Sequence, residues 1–187
     1  MALSKIDVAN MVTGAVPVAN GGTALTSGFV NGGGLTMTDQ WRLTSTFTGD
    51  ANPIASNLEQ VDTSGQGFIG SAMSESSGIF TFPSTGIYLV SMGGRGDTPS
   101  AADNVALSME VTTDNSSYNT VISAGESGGA NSSAKNFNIY GQSLVDVTDT
   151  SNVKVRFQTG SLSSGSFFSG STDSNQTYFT FIRLGDT

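Results

Sequence analysis

Fifteen carboxylates are the only plentiful acid–base groups in this chain, which has no histidine and no cysteine. That composition removes imidazole bases, thiol nucleophiles, disulfides and nearly all zinc chemistry at once. What remains is the carboxylate pair of a glycoside hydrolase, one acid working with one nucleophile or base. The spacing assembles no such pair. Asp50, Asp62, Asp114, Asp149 and Asp173 stand beside turn-forming residues. Water there keeps a carboxyl from reaching the raised pKa that a general acid needs. The expectation is no catalytic residue, no cofactor and no enzyme. Asp97 with Asp103 offers oxygen ligands to calcium, but the spacing is not that of an EF-hand loop, and no metal is expected. Arg95-Gly96-Asp97 spells an integrin-binding tripeptide in what reads as an exposed loop, residues 93–104, and is taken as coincidence in a glycine-rich stretch. The glycosylation sequons at Asn115, Asn131 and Asn175 read as turn composition. Residues 71–77, 114–118 and 125–133 carry the Asn, Ser, Tyr and Gly that hydrogen-bond and stack on sugars, so a host surface glycan stands as one candidate partner.

The elements that would hold these residues are strands. Only 12% of the chain is charged, against about 25% in ordinary domains. Gly, Ser, Thr and Asn make up the difference, and they favour turns and strands over helices. Val105, Leu107, Met109 and Val111 alternate with Ala106, Ser108 and Glu110. Val153, Val155 and Phe157 alternate with Lys154 and Arg156. Both are half-buried strands with a period of two. In residues 177–184, Phe179 and Phe181 oppose Tyr178, Thr180 and Ile182. Ile79 opposes Phe80 and Phe82, and Pro83 to Gly86 then makes a turn. Residues 87–92 form a nearly continuous apolar strand, buried on both faces or lying at an interface. Residues 44–48 and 138–147 read as two further strands. Eight to ten strands with glycine-rich turns imply an all-β sandwich or barrel.

The net charge of −8 repels phosphate, so no nucleic-acid partner is expected. MALSKIDVANMV has no long apolar h-region, and no apolar run reaches 18 residues. Neither a signal peptide nor a membrane span is expected. The length suits one domain with an appendage. Residues 1–36 have that character. Leu3, Ile6, Val8 and Met11 are spaced apolar residues, and glycines recur throughout the rest of the segment. Fully extended, such a segment reaches roughly 120 Å. Residues 13–23 read TGAVPVANGGT. Val16, Pro17 and Val18 are too small to build a core, and Asn20-Gly21-Gly22 turns at low cost. The run resembles stretches found in tail-fibre and other virion proteins of tailed bacteriophages. The resemblance implies an extended arm, residues 1–36, that attaches to a phage capsid or tail protein through Leu3, Ile6, Val8, Met11, Val16, Pro17, Val18 and Asn20.

A second resemblance covers residues 37–187. Phe80, Phe82, Pro83, Gly86, Tyr88 and Val90 match an aromatic-x-aromatic-Pro segment followed by x-x-Gly-x-Tyr and an apolar strand. This is similar to the tumour-necrosis-factor and complement-head jelly rolls, as is the closing strand 178–184. It implies a ten-stranded antiparallel jelly-roll sandwich assembled as a homotrimer. Phe80, Phe82, Tyr88, Val90, Phe179 and Phe181 are then expected at the trimer interface, stacking around the threefold axis. Animal members often follow a collagen-like stalk, but no Gly-x-y repeat occurs here, and the arm stands in its place. The two resemblances together imply a structural virion protein that decorates or cements the capsid as a head fibre. The alternatives are a short tail fibre that recognises host glycans, or a free lectin.

Overall fold

The computed structural model describes residues 34–99, 104–127 and 135–187. Their fold runs as one unit from Thr36 to Thr187. Leu3, Ile6, Val8, Met11, Val16, Pro17, Val18 and Asn20, expected from the sequence to attach the chain to a particle, lie outside the described residues.

Twelve strands occur in the order β1 (Thr38–Leu43), β2 (Phe47–Thr48), β3 (Leu58–Gln60), β4 (Ser74–Ser76), β5 (Ile79–Thr81), β6 (Gly86–Thr98), β7 (Asn104–Thr112), β8 (Asn119–Ser127), β9 (Lys135–Val147), β10 (Lys154–Gly160), β11 (Phe167–Phe168) and β12 (Tyr178–Gly185). Two of them, β2 and β11, are two-residue pairs. The other ten make the expected jelly roll. The larger sheet runs β3-β1-β12-β6, with β9 on the far side of β6 and the β11-β2 pair beside the end of β6. The smaller sheet runs β4-β5-β10-β7-β8. Every pairing is antiparallel. No helix occurs among the described residues.

The core lies between the sheets and is aromatic. Phe80 and Phe157 enter from the smaller sheet, Phe179 and Phe181 from the larger. Phe157 stacks on Phe179 with centroids 3.8 Å apart, and Phe80 meets Trp41, Phe157, Phe179 and Phe181 at 5.2 to 6.0 Å. Such pairs add roughly 0.5–1.5 kcal/mol each beyond the area they bury. The strand alternation in the sequence is the cause: β10 buries Val155, Phe157 and Thr159 and turns Lys154, Arg156 and Gln158 outward. The turn before β6 is pinned from inside, because the Tyr88 hydroxyl donates to the Ser84 carbonyl at 2.9 Å. Gly86 closes it at φ +142°, where a Cβ would meet the Gly185 carbonyl oxygen at 2.5 Å.

Two expectations change here. The expected strand 44–48 is confined to Phe47–Thr48, and a longer strand, Thr38–Leu43, precedes it. The longer strand reads poorly because it carries buried polar groups, each satisfied by partners. Asp39 accepts hydrogen bonds from Trp41 Nε1, Gln60 Nε2 and the backbone amides of Gln40 and Met73. Arg42 is fully buried and donates to Glu59, Asp62 and Thr63. The Arg95-Gly96-Asp97 tripeptide lies within β6 and not in a loop, paired to Asn138, Phe137 and Asn136 of β9.

Candidate functional site

The outward face of the larger sheet is built from the residues that alternate with the core. In β6 these are Ile87, Leu89, Ser91, Gly93 and Arg95; in β12, Tyr178, Thr180 and Ile182; in β9, Asn138, Tyr140, Gln142 and Leu144. Register sorts them into lines that cross the strands. Ile69, Thr38, Ile182, Leu89 and Leu144 form one line, apolar except for Thr38. Gln40, Thr180, Ser91 and Gln142 form the next, a polar line. Gln40 Nε2 donates to Thr180 Oγ1 at 3.2 Å along it. Tyr178, Gly93 and Tyr140 form the third, and Arg95 with Asn138 ends the face.

The apolar line is partly uncovered in the single chain. Ile69 is 48% exposed and Leu144 62%, with Leu184 of β12 at 51%. Ile182 and Leu89 are half-buried, and Thr38 separates Ile69 from them. Residues 87–92 divide by parity: Tyr88, Val90 and Met92 enter the core while Ile87 and Leu89 stay half-buried on the open face.

This geometry corrects the expected interface residues. Phe80, Phe82, Tyr88, Val90, Phe179 and Phe181 are all at most 2% exposed and pack together inside one chain. Their side chains hold the two sheets together and offer no surface to another copy. The aromatic-x-aromatic spacing identified a buried face correctly, but the face belongs to the sandwich interior. The outward line was missed because it is assembled by register across four strands. One signal was present: Leu144 has the opposite parity to Ile139, Val145 and Val147, so all four cannot enter one core.

The smaller sheet holds a charged cluster on its outer face. Glu110, though nearly buried, accepts from Arg156 Nε at 2.6 Å and Gln158 Nε2 at 3.0 Å, and the Arg156 guanidinium lies 4.0 Å from the centre of the Tyr118 ring. Burial pushes the Tyr118 phenol up from its ordinary value. Residues 114–118, read from sequence as a sugar-binding loop, instead form a tight turn around Asp114. The Ser117 amide, the Thr112 hydroxyl and the Ser116 amide all donate to Asp114 Oδ1 and hold its carboxyl down to about 2. Residues 74–76, expected in another such loop, are strand β4. Among the described residues no group of three or more carboxylates is placed to hold a metal ion. No described helix is long and apolar enough to cross a membrane.

No protein-family model and no curated protein matches the chain. Solved structures do match in fold. The Eiger TNF of S. frugiperda aligns at a TM-score of 0.59 and 10% identity, covering 80% of this chain and 93% of that one. Murine APRIL, in its crystal structure at pH 8.5, aligns at 0.55 and 11%, covering 79% and 98%. The globular domain of zebrafish complement 1qA aligns at 0.50 and 12%, covering 81% and 99%. The fold is therefore the jelly roll of tumour-necrosis-factor and complement-head domains.

Proposed function

We propose that the chain forms a homotrimer through the apolar end of the outward face of its larger sheet, and that it serves as a non-enzymatic head domain on a tailed-bacteriophage particle. The observation that carries the trimer is the line of Ile69, Ile182, Leu89 and Leu144, exposed at its two ends and half-buried between them. Burying a leucine or isoleucine side chain is worth ~1.5–3 kcal/mol, and a chain without disulfides gains that stability by assembling. The non-enzymatic reading is supported by the absence of His and Cys and by carboxylates engaged as structural acceptors: Asp39 and Glu110 beneath the surface, Asp114 at a turn. The phage setting is supported by the resemblance of residues 13–23, and the arm, residues 1–36, is its attachment device. Decoration of the capsid is the leading placement, since an arm draped over neighbouring subunits staples them by multivalent contact. A tail-fibre tip is the second placement, favoured by a polar groove on the head.

The test is deletion of residues 1–36. The truncated protein should keep the folded head and its solution mass as a trimer, yet fail to join purified phage particles when copies are counted by mass spectrometry. Normal copy number on the particles would place the anchor elsewhere. No association of the full chain with any particle would remove the virion reading.

A further inference from the structure

The polar end of the larger sheet's open face contains a groove of about 390 Å³, within the ~300–1,000 Å³ range of small-molecule sites. Tyr140 and Tyr178 flank it, and Arg95, Asn138, Asn175 and Gln176 are among the other residues that line it. Gly93 makes the space, because it pairs with both tyrosines and has no side chain between them. A Cβ there would meet the Tyr178 ring at 2.5 Å.

Each lining group selects a property of the ligand. The ring of Tyr140 is 59% exposed and gives a flat apolar surface, with its hydroxyl tied back to Gln142 Oε1 at 2.7 Å. The amides offer neutral donors and acceptors. Asn175 donates through Nδ2 to Gln40 Oε1, while its Oδ1 is buried with no hydrogen-bond partner among the described residues. A buried acceptor of that kind favours a ligand that brings a hydroxyl. Arg95 supplies charge. Arg42, Arg156 and Arg183 each form an ion pair, and Arg95 forms none among the described residues. An unpaired guanidinium is a bidentate carboxylate receptor.

We propose that this groove binds an acidic saccharide, with Arg95 on a sugar carboxylate, the sugar ring against Tyr140, and hydroxyls on Asn138 and Asn175. A neutral sugar leaves Arg95 unused, and a simple anion leaves the tyrosines unused. The groove is complete within one chain and lies four residues along β6 from Leu89, about 13 Å. The inference therefore does not rest on the trimer reading.

The experiment is calorimetric titration of the full chain at low salt with a hyaluronan tetrasaccharide, which alternates glucuronate and N-acetylglucosamine. Chitotetraose, its neutral counterpart, is the control. The expected result is binding of the acidic sugar, reduced at least tenfold by Arg95→Gln and by Tyr140→Ala, and unchanged by Lys154→Gln on the other sheet. Arg95→Gln should leave chitotetraose binding, if measurable, as it was. Melting curves confirm that each variant is folded. Light scattering on the same samples reports assembly separately. No binding of the acidic tetrasaccharide at millimolar concentration would overturn the proposal, as would equal binding by wild type and both groove variants.

Discussion

Replacing Leu144 with alanine separates the open face from the core. Leu144 is 62% exposed in the single chain. About two-thirds of the ~1.5–3 kcal/mol gained by burying a leucine therefore remains for assembly, or ~1–2 kcal/mol per copy. Three copies lose ~3–6 kcal/mol per trimer, an upper bound because alanine keeps one methyl group and area bookkeeping overstates burial. At 1.4 kcal/mol per tenfold, the trimer association constant falls by roughly 10²- to 10⁴-fold. The midpoint concentration for dissociation scales as the inverse square root of that constant, so it rises about 10- to 100-fold. The fold itself should hold to within about 0.5 kcal/mol, as for other surface changes. Sedimentation over a dilution series gives the midpoint, and thermal melts at a concentration where both proteins are monomeric give the fold. An unchanged midpoint, or a large fall in the melting temperature of the monomer, would overturn the assignment of Leu144 to a contact between copies.

Three further outcomes are expected from the same packing. Phe80→Ala should destabilise the single-chain fold by about 3–5 kcal/mol, read as the shift of a urea midpoint under monomeric conditions; a loss below about 1 kcal/mol would mean that the ring is not at the centre of the core. Gly93→Ala should cost about 1–3 kcal/mol by overpacking against Tyr178, and Gly93→Ala with Tyr178→Ala should recover most of it in the same melt; a second change that recovers nothing would place the strain in the backbone. The Asp114 carboxyl is held down to about 2 from an ordinary 3.8 by the Ser117 amide and its neighbours, so its contribution is complete above about pH 4 and is lost as pH falls through about 2. Asp114→Asn should flatten the pH dependence of the melting temperature in that window, and an unchanged slope would show that other carboxylates govern acid unfolding.

The fold was legible where alternation is regular. Val153 to Phe157 and Phe179 with Phe181 each bury one parity, as a two-residue period requires, whereas β7 sends Val105, Leu107 and Met109 into the core and covers Ser108 and Glu110 on its other face as well. The turn between Phe82 and Tyr88 was legible because Pro83 and Gly86 have few other conformational uses. The strand Thr38–Leu43 was not, because Asp39 and Arg42 are tolerated inside only through partners 17 to 34 residues away, at Glu59, Gln60, Asp62, Thr63 and Met73. The open face was hidden for a related reason. Leu89, Leu144 and Ile182 become neighbours only once β9, β6 and β12 pair in register. Aromatic spacing in the sequence marks burial, but it does not say whether the burial is within one chain or between chains. The groove needed still more, because it depends on Gly93 standing opposite two tyrosines that lie 38 residues apart in sequence.

If the open sheet face is a contact between copies of this chain, the solution mass must show it. Light scattering from the full chain at micromolar concentration should give three times its 19.1 kDa, with the Leu144→Ala protein shifting toward the single-chain mass on dilution. A stable 19.1 kDa species at the same concentration would contradict the trimer and leave the Ile69–Ile182–Leu89–Leu144 line without the role assigned to it.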